Sequence, residues 1–94
     1  MSDSDEIFLQ NLAKALRAAR IQSKMTQNEA AERAGVTREY WAHVESQGRN
    51  LTFVTARKMA VAVGVTLAEL IILAENSKFQ ADGKRKRRGP PLQR

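Results

Sequence analysis

Thr26-Gln27-Asn28-Glu29-Ala30-Ala31-Glu32-Arg33-Ala34-Gly35-Val36-Thr37-Arg38-Glu39-Tyr40-Trp41-Ala42-His43-Val44-Glu45 decides the fold of this 94-residue chain. Thr26 and Glu29 have the Thr-x-x-Glu spacing, in which hydroxyl and carboxylate each satisfy a backbone amide left over at a helix start. The helix opened there is only about two turns long, because Gly35 supplies a left-handed stop after Ala34. Thr37 then caps a second helix that runs to about Ser46. Trp41 and Val44 share one face of it, while Arg38, Glu39 and His43 turn elsewhere. The result is a pair of short helices with one face made for packing and one left polar.

Outward from this pair the chain supplies a scaffold. A helix from about Asp5 to Ser23 carries Phe8, Leu12, Leu16 and Ala19 as one apolar stripe, and its acidic first turn suits the helix dipole. On the other side Gly48-Arg49-Asn50-Leu51 reads as a loop. Thr52 caps a fourth helix with Phe53, Ala56, Met59, Ala60 and Val63 facing inward, ended by Gly64. Thr66-Leu67-Ala68-Glu69 is a second capping box, and the helix it opens carries Leu67, Leu70, Ile71, Ile72 and Leu73 before Asn76-Ser77. No run alternates as a half-buried strand does, so the fold class is all-α with five helices. The fifth is apolar around much of its circumference. A monomer seldom buries every side of a terminal helix, so Leu70, Ile71, Ile72 and Leu73 are expected at an interface between subunits.

Composition narrows the function. With 43% apolar and 28% charged residues the chain is a globular one. It has no apolar stretch of membrane-spanning length, and Met1-Ser2-Asp3-Ser4-Asp5 lacks the basic-then-apolar layout of a signal peptide. A cytoplasmic protein is expected. The absence of cysteine and the single histidine, His43, leave no disulfide, no thiol nucleophile and no metal-ligand set. An enzyme is not expected, nor is a cofactor or small-molecule ligand. The net charge of +6 is unevenly placed: residues 1–77 carry nine basic and nine acidic side chains, and residues 78–94 carry seven basic ones against Asp82. The reading is therefore a formally neutral domain, 1–77, followed by a flexible, disordered basic tail, 78–94, around Gly83-Lys84-Arg85-Lys86-Arg87-Arg88-Gly89-Pro90-Pro91.

A short helix pair joined through glycine serves equally in a plain bundle and in a helix-turn-helix, whose second helix projects its polar N-terminal residues into the major groove of DNA. The residues favour the latter. Arg20, Thr26-Gln27-x-Glu29-x-Ala31, Ala34-Gly35-Val36-Thr37, Val44-Glu45 and Val61-x-Val63-Gly64-Val65-Thr66-x-x-Glu69-Leu70 together resemble the lambda-repressor and Cro type (XRE-type) helix-turn-helix family, over about residues 8–73. Within it, Arg38-x-Tyr40 with Glu45-x-x-x-Arg49-Asn50-Leu51-Thr52 is most similar to the controller proteins of restriction-modification systems, which are dimeric transcription regulators. The resemblance implies a five-helix lambda-repressor-like domain, sequence-specific regulation of transcription, and a bacterial or phage source.

It also implies roles residue by residue. Gln27 contacts a DNA phosphate and braces the start of the recognition helix, consistent with the affinity of helix N-termini for anions. Arg38, Glu39 and His43 fall on base-facing positions, where Arg bonds guanine bidentately and Glu accepts from cytosine. Tyr40 occupies a position used for backbone or thymine contact. Thr37, Arg49, Asn50 and Thr52 fall to the DNA backbone, and Arg20 and Glu45 match a salt-bridged pair joining the first helix to the third. Trp41, by its register with Val44, belongs to the core. Two departures stand out: Ala30 replaces a usual leucine, which suggests a core repacked around Trp41, and Ser46-Gln47-Gly48 is one residue longer than the usual turn, with no proline before the fourth helix. The function expected is a homodimer on a palindromic operator with half-sites about one helical turn apart. Two other readings compete: a protein-interaction module such as an antitoxin-like partner, and a non-specific DNA binder working through its basic tail.

Overall fold

The computed structural model describes residues 3–48 and 51–82. Within them the chain forms α1 (Asp3–Gln22), α2 (Gln27–Ala34), α3 (Arg38–Gln47), α4 (Phe53–Ala62) and α5 (Leu67–Asp82), and no strand. The all-α expectation holds. Each expected cap is made. The Glu29 amide donates to Thr26 Oγ1 (3.0 Å) and the Thr26 amide to Glu29 Oε1 (2.9 Å). Thr66 and Glu69 repeat the exchange at 3.0 and 2.8 Å. Thr37 accepts from the Tyr40 amide and Thr52 from the Thr55 amide. Gly35, at φ 75°, takes the left-handed conformation that stops α2.

α1 packs against α3 and α5, while α2 packs against α3 and α4. One core results, with Trp41, Met59, Val44 and Val63 its largest fully buried side chains. Ala30 is buried in the same cluster as Trp41, where its methyl takes less room than a leucine side chain would. Ser23 ties the two helix ends beyond the core by donating to Val63 O (2.8 Å). α1 ends without glycine: Lys24 holds φ 61°, a left-handed conformation costing roughly 1–2 kcal/mol for a residue with a Cβ.

Two boundaries differ from the sequence reading. α1 begins at Asp3 rather than Asp5, since acidic residues are favoured in a first turn. α5 runs to Asp82 instead of stopping near Ser77. The apolar rhythm does fade there, but Ser77 to Asp82 contain neither proline nor glycine, so nothing in them breaks a helix already nucleated. The basic run Lys84–Arg88 lies outside the described residues.

Leu70 requires a correction. It is only 2% exposed, packed beside Leu12, Leu16, Ala56 and Met59, and so cannot contribute to a contact between subunits. The register of α5 turns Leu70 and Ala74 inward, leaves Ile71 half-buried, and exposes Ile72 (56%) and Leu73 (48%). Among the described residues no single helix is long and apolar enough to cross a membrane; α4 and α5 qualify only as a pair bent by 97°.

Candidate nucleic-acid interface

Thr37 and Gly35 set α3 against α2, and the first turn of α3 presents Arg38 and Glu39 exposed. Neither side chain is needed for packing. Directly behind them α3 is anchored by Trp41, which is wholly buried, and by Glu45, the one buried charged residue among those described. Polar N-terminal face and locked rear are thus two sides of a single ten-residue helix.

Glu45 is the hub of the anchor. Its Oε2 accepts from Arg20 Nε (2.6 Å) and Trp41 Nε1 (2.5 Å), and its Oε1 accepts from Arg20 Nη2 (3.1 Å) and Gln27 Nε2 (3.1 Å). An ionised carboxylate has about four acceptor sites, and here all are filled, two of them by the planar fork of one guanidinium. The third nitrogen of Arg20, Nη1, donates to Met25 O (2.8 Å) just before α2 begins. One carboxylate therefore links α1, α2 and α3. Burial pushes the Glu45 carboxyl up, but donation from Arg20, Trp41 and Gln27, with the Arg20 charge, outweighs this and holds it below the ordinary glutamate value.

The Arg20–Glu45 pair implied by resemblance is present. The donations from Gln27 and Trp41 were not foreseen. Trp41 and Glu45 stand four apart on one helix, a spacing at which side chains meet, but the tryptophan was read only for its apolar bulk. Gln27 sits half-buried at the start of α2, with its Nε2 donating to Glu45.

The remaining site residues divide. Thr37 and Thr52 are exposed at the starts of α3 and α4, where each hydroxyl already accepts from its own helix amide. Tyr40 is half-buried and packs partly against the core. His43 is half-buried too, and its Nε2 is buried with no hydrogen-bond partner among the described residues, so its ring does not project freely as Arg38 does. Arg49 and Asn50 lie outside the described residues. Among those described, no group of three or more His, Asp and Glu side chains gathers to hold a metal ion.

This arrangement is that of a helix-turn-helix, and the chain belongs to the helix-turn-helix family, whose profile matches residues 16–70. It is a DNA-binding transcriptional regulator of the XRE type and not an enzyme. Its fold is similar to that of the clp gene regulator ClgR from Corynebacterium glutamicum, at 24% identity and a TM-score of 0.75 over 81% of each chain. A second crystal structure of ClgR matches at 28% identity and a TM-score of 0.67, covering 74% of this chain and 91% of that one. No curated protein matches the sequence.

Proposed function

We propose that the protein binds a palindromic operator as a homodimer, with α3 of each copy in the major groove. The observation that carries this reading is the polar start of α3: Arg38 and Glu39 are exposed while Trp41 and Glu45 hold the helix from behind. Arg38 and Glu39 read base edges, joined by Tyr40 at a thymine or phosphate and by His43, whose unpartnered Nε2 gains a partner if the ring turns to the groove. Gln27 donates its second amide hydrogen to a phosphate, and Thr37, Arg49, Asn50 and Thr52 hold the backbone on either side. The protein works in the cytoplasm of a bacterium or phage host.

Selection from a random duplex library at about 150 mM salt tests the reading. It is run on the whole chain, on a chain ending at Asp82, which keeps α5 intact, and on Arg38→Ala. One palindromic motif should emerge from the first two. Arg38→Ala should keep its melting temperature and lose discrimination by roughly 1–3 kcal/mol at one base pair of each half-site. An unaltered motif in that variant would remove Arg38 from the reading surface.

The homodimer is formed through the outer face of α5, where Ile72 and Leu73 are exposed. Charging both, as Ile72→Glu with Leu73→Glu, should yield a folded monomer by sedimentation. Its operator affinity should fall at least about tenfold, because two half-sites are then no longer engaged together. A double variant that sediments as the parent does would place the interface elsewhere.

A further inference from the structure

α4 is apolar on two opposite faces. Ala56, Met59, Ala60 and Val63 are buried in the core. At 100° per residue, Val54, Arg57, Lys58 and Val61 fall on the other side, and the exposures agree: Val54 63% and Val61 59%, with Arg57 and Lys58 exposed between them. Phe53, the first residue of α4, stands at the edge of this side and is 76% exposed because the core does not reach the helix start. A helix packed on its inner side should be polar on its outer one, yet here Val54 and Val61 stand exposed among the cations Arg57 and Lys58. Beside it runs a groove of about 370 Å³ whose far wall is the end of α2, with Arg33, Ala34 and Gly35. Arg33, Arg57 and Lys58 all line this groove, against Glu32 as its one acidic residue, and none of the three has an ion-pair or hydrogen-bond partner among the described residues.

We propose that the outer face of α4, with the groove it shares with the end of α2, docks a helical segment of a partner protein that carries acidic and apolar residues in alternation along one side. The cations call for carboxylates and the valines and Phe53 for aliphatic groups, both within the stripe 53, 54, 57, 58 and 61. A second copy of this chain does not fit. Two-fold pairing through α4 would set Arg57 and Lys58 of one copy against the same cations of the other, whereas the outer face of α5 around Ile72 and Leu73, up to Asn76, carries no cation. DNA does not account for the face either, because a sugar-phosphate backbone gives exposed Val54 and Val61 nothing to pack on.

The test needs no DNA, so its outcome is separate from that of the operator reading. The probe is a synthetic helical peptide of about sixteen residues with Glu and Leu on one side, spaced at i, i+3 and i+4, against a scrambled peptide of equal composition. It is titrated into the isotope-labelled whole chain and followed by amide chemical shifts. Saturable shifts should cluster on Phe53–Val61 and Arg33–Gly35 for the helical peptide and not for the scrambled one. Arg57→Glu with Lys58→Glu should weaken the peptide at least tenfold, and Val61→Ser several-fold, with melting temperatures unchanged. Shifts confined to residues 83–94 or to α5, equal response to the scrambled peptide, or unchanged affinity in the double variant would each overturn the proposal. It would also fall if the double variant weakened duplex binding tenfold regardless of sequence, or if it changed the sedimenting mass, which would assign the face to DNA or to a second copy.

Discussion

Glu45→Ala should lower the stability of the protein by about 3–5 kcal/mol, the usual result of removing one partner from a buried ion pair. The loss arises from what remains. Arg20 keeps a guanidinium that is largely out of water, and Trp41 Nε1 and Gln27 Nε2 each lose their acceptor. A small domain has a total of roughly 5–15 kcal/mol, so most of the margin goes. Glu45→Gln keeps the shape and two acceptor sites and should fall between wild type and alanine. The same residue gives the stability a pH dependence. Its folded carboxyl is held below the ordinary glutamate value, so its contribution is complete above the unfolded pKa and is lost as pH falls through the lower folded one. Urea melts followed by circular dichroism from about pH 7 to about pH 3 should show this acid loss in wild type and a shallower one in Glu45→Gln. Equal slopes in the two proteins would mean that Glu45 is not the group being titrated, and an alanine variant within about 1 kcal/mol of wild type would mean that the hub holds little.

The second large effect is expected at Gly48, and it separates two glycines that look alike in the sequence. Gly35 and Gly48 have nearly the same backbone conformation, φ 75° and 68°. A Cβ at Gly35 would meet nothing within 4 Å, so Gly35→Ala costs only the left-handed conformation, roughly 1–2 kcal/mol. At Gly48 the added carbon would stand 2.4 Å from the carbonyl oxygen of Leu9 and 2.9 Å from its carbon. These are backbone atoms in the middle of α1 and cannot rotate aside. α3 must then move off α1, and the conformational and overpacking costs together come to about 2–5 kcal/mol. The displacement is passed to Arg38 and Glu39, so Gly48→Ala should also lose operator affinity beyond what its stability explains, while Gly35→Ala should not. Denaturant melts and duplex titrations on both variants decide this, and equal costs at the two positions would contradict the contact with Leu9.

The caps, the Gly35 stop and most of each inward stripe are legible because they depend on neighbours three or four residues away. Phe53 is the exception: its register with Ala56 and Ala60 predicts an inward side chain, but it opens α4 beyond the reach of the core and is 76% exposed. The salt bridge between Arg20 and Glu45, 25 residues apart, came only from family resemblance. Its two further donors stayed hidden for different reasons. The register of Trp41 speaks for its bulk and not for its indole N–H, and the resemblance gives Gln27 a phosphate and the start of the recognition helix, whereas its amide reaches Glu45 near the helix end. Leu70 was misplaced because α5 is apolar on several sides, and periodicity cannot say which side meets the core until Leu12, Ala56 and Met59 are folded against it. His43 was read from its position on the recognition helix, which says nothing about how far its ring tucks in.

Trp41 is the single tryptophan of the chain, and it sits wholly buried with its ring nitrogen 2.5 Å from Glu45. The recognition helix therefore carries its own optical label. Indole emission, sensitive to a nearby carboxylate and to water, comes from one place only, at the joint where α1, α2 and α3 meet. A change in it on adding duplex reports what happens behind the reading surface, unmixed with signals from elsewhere, and needs no dye.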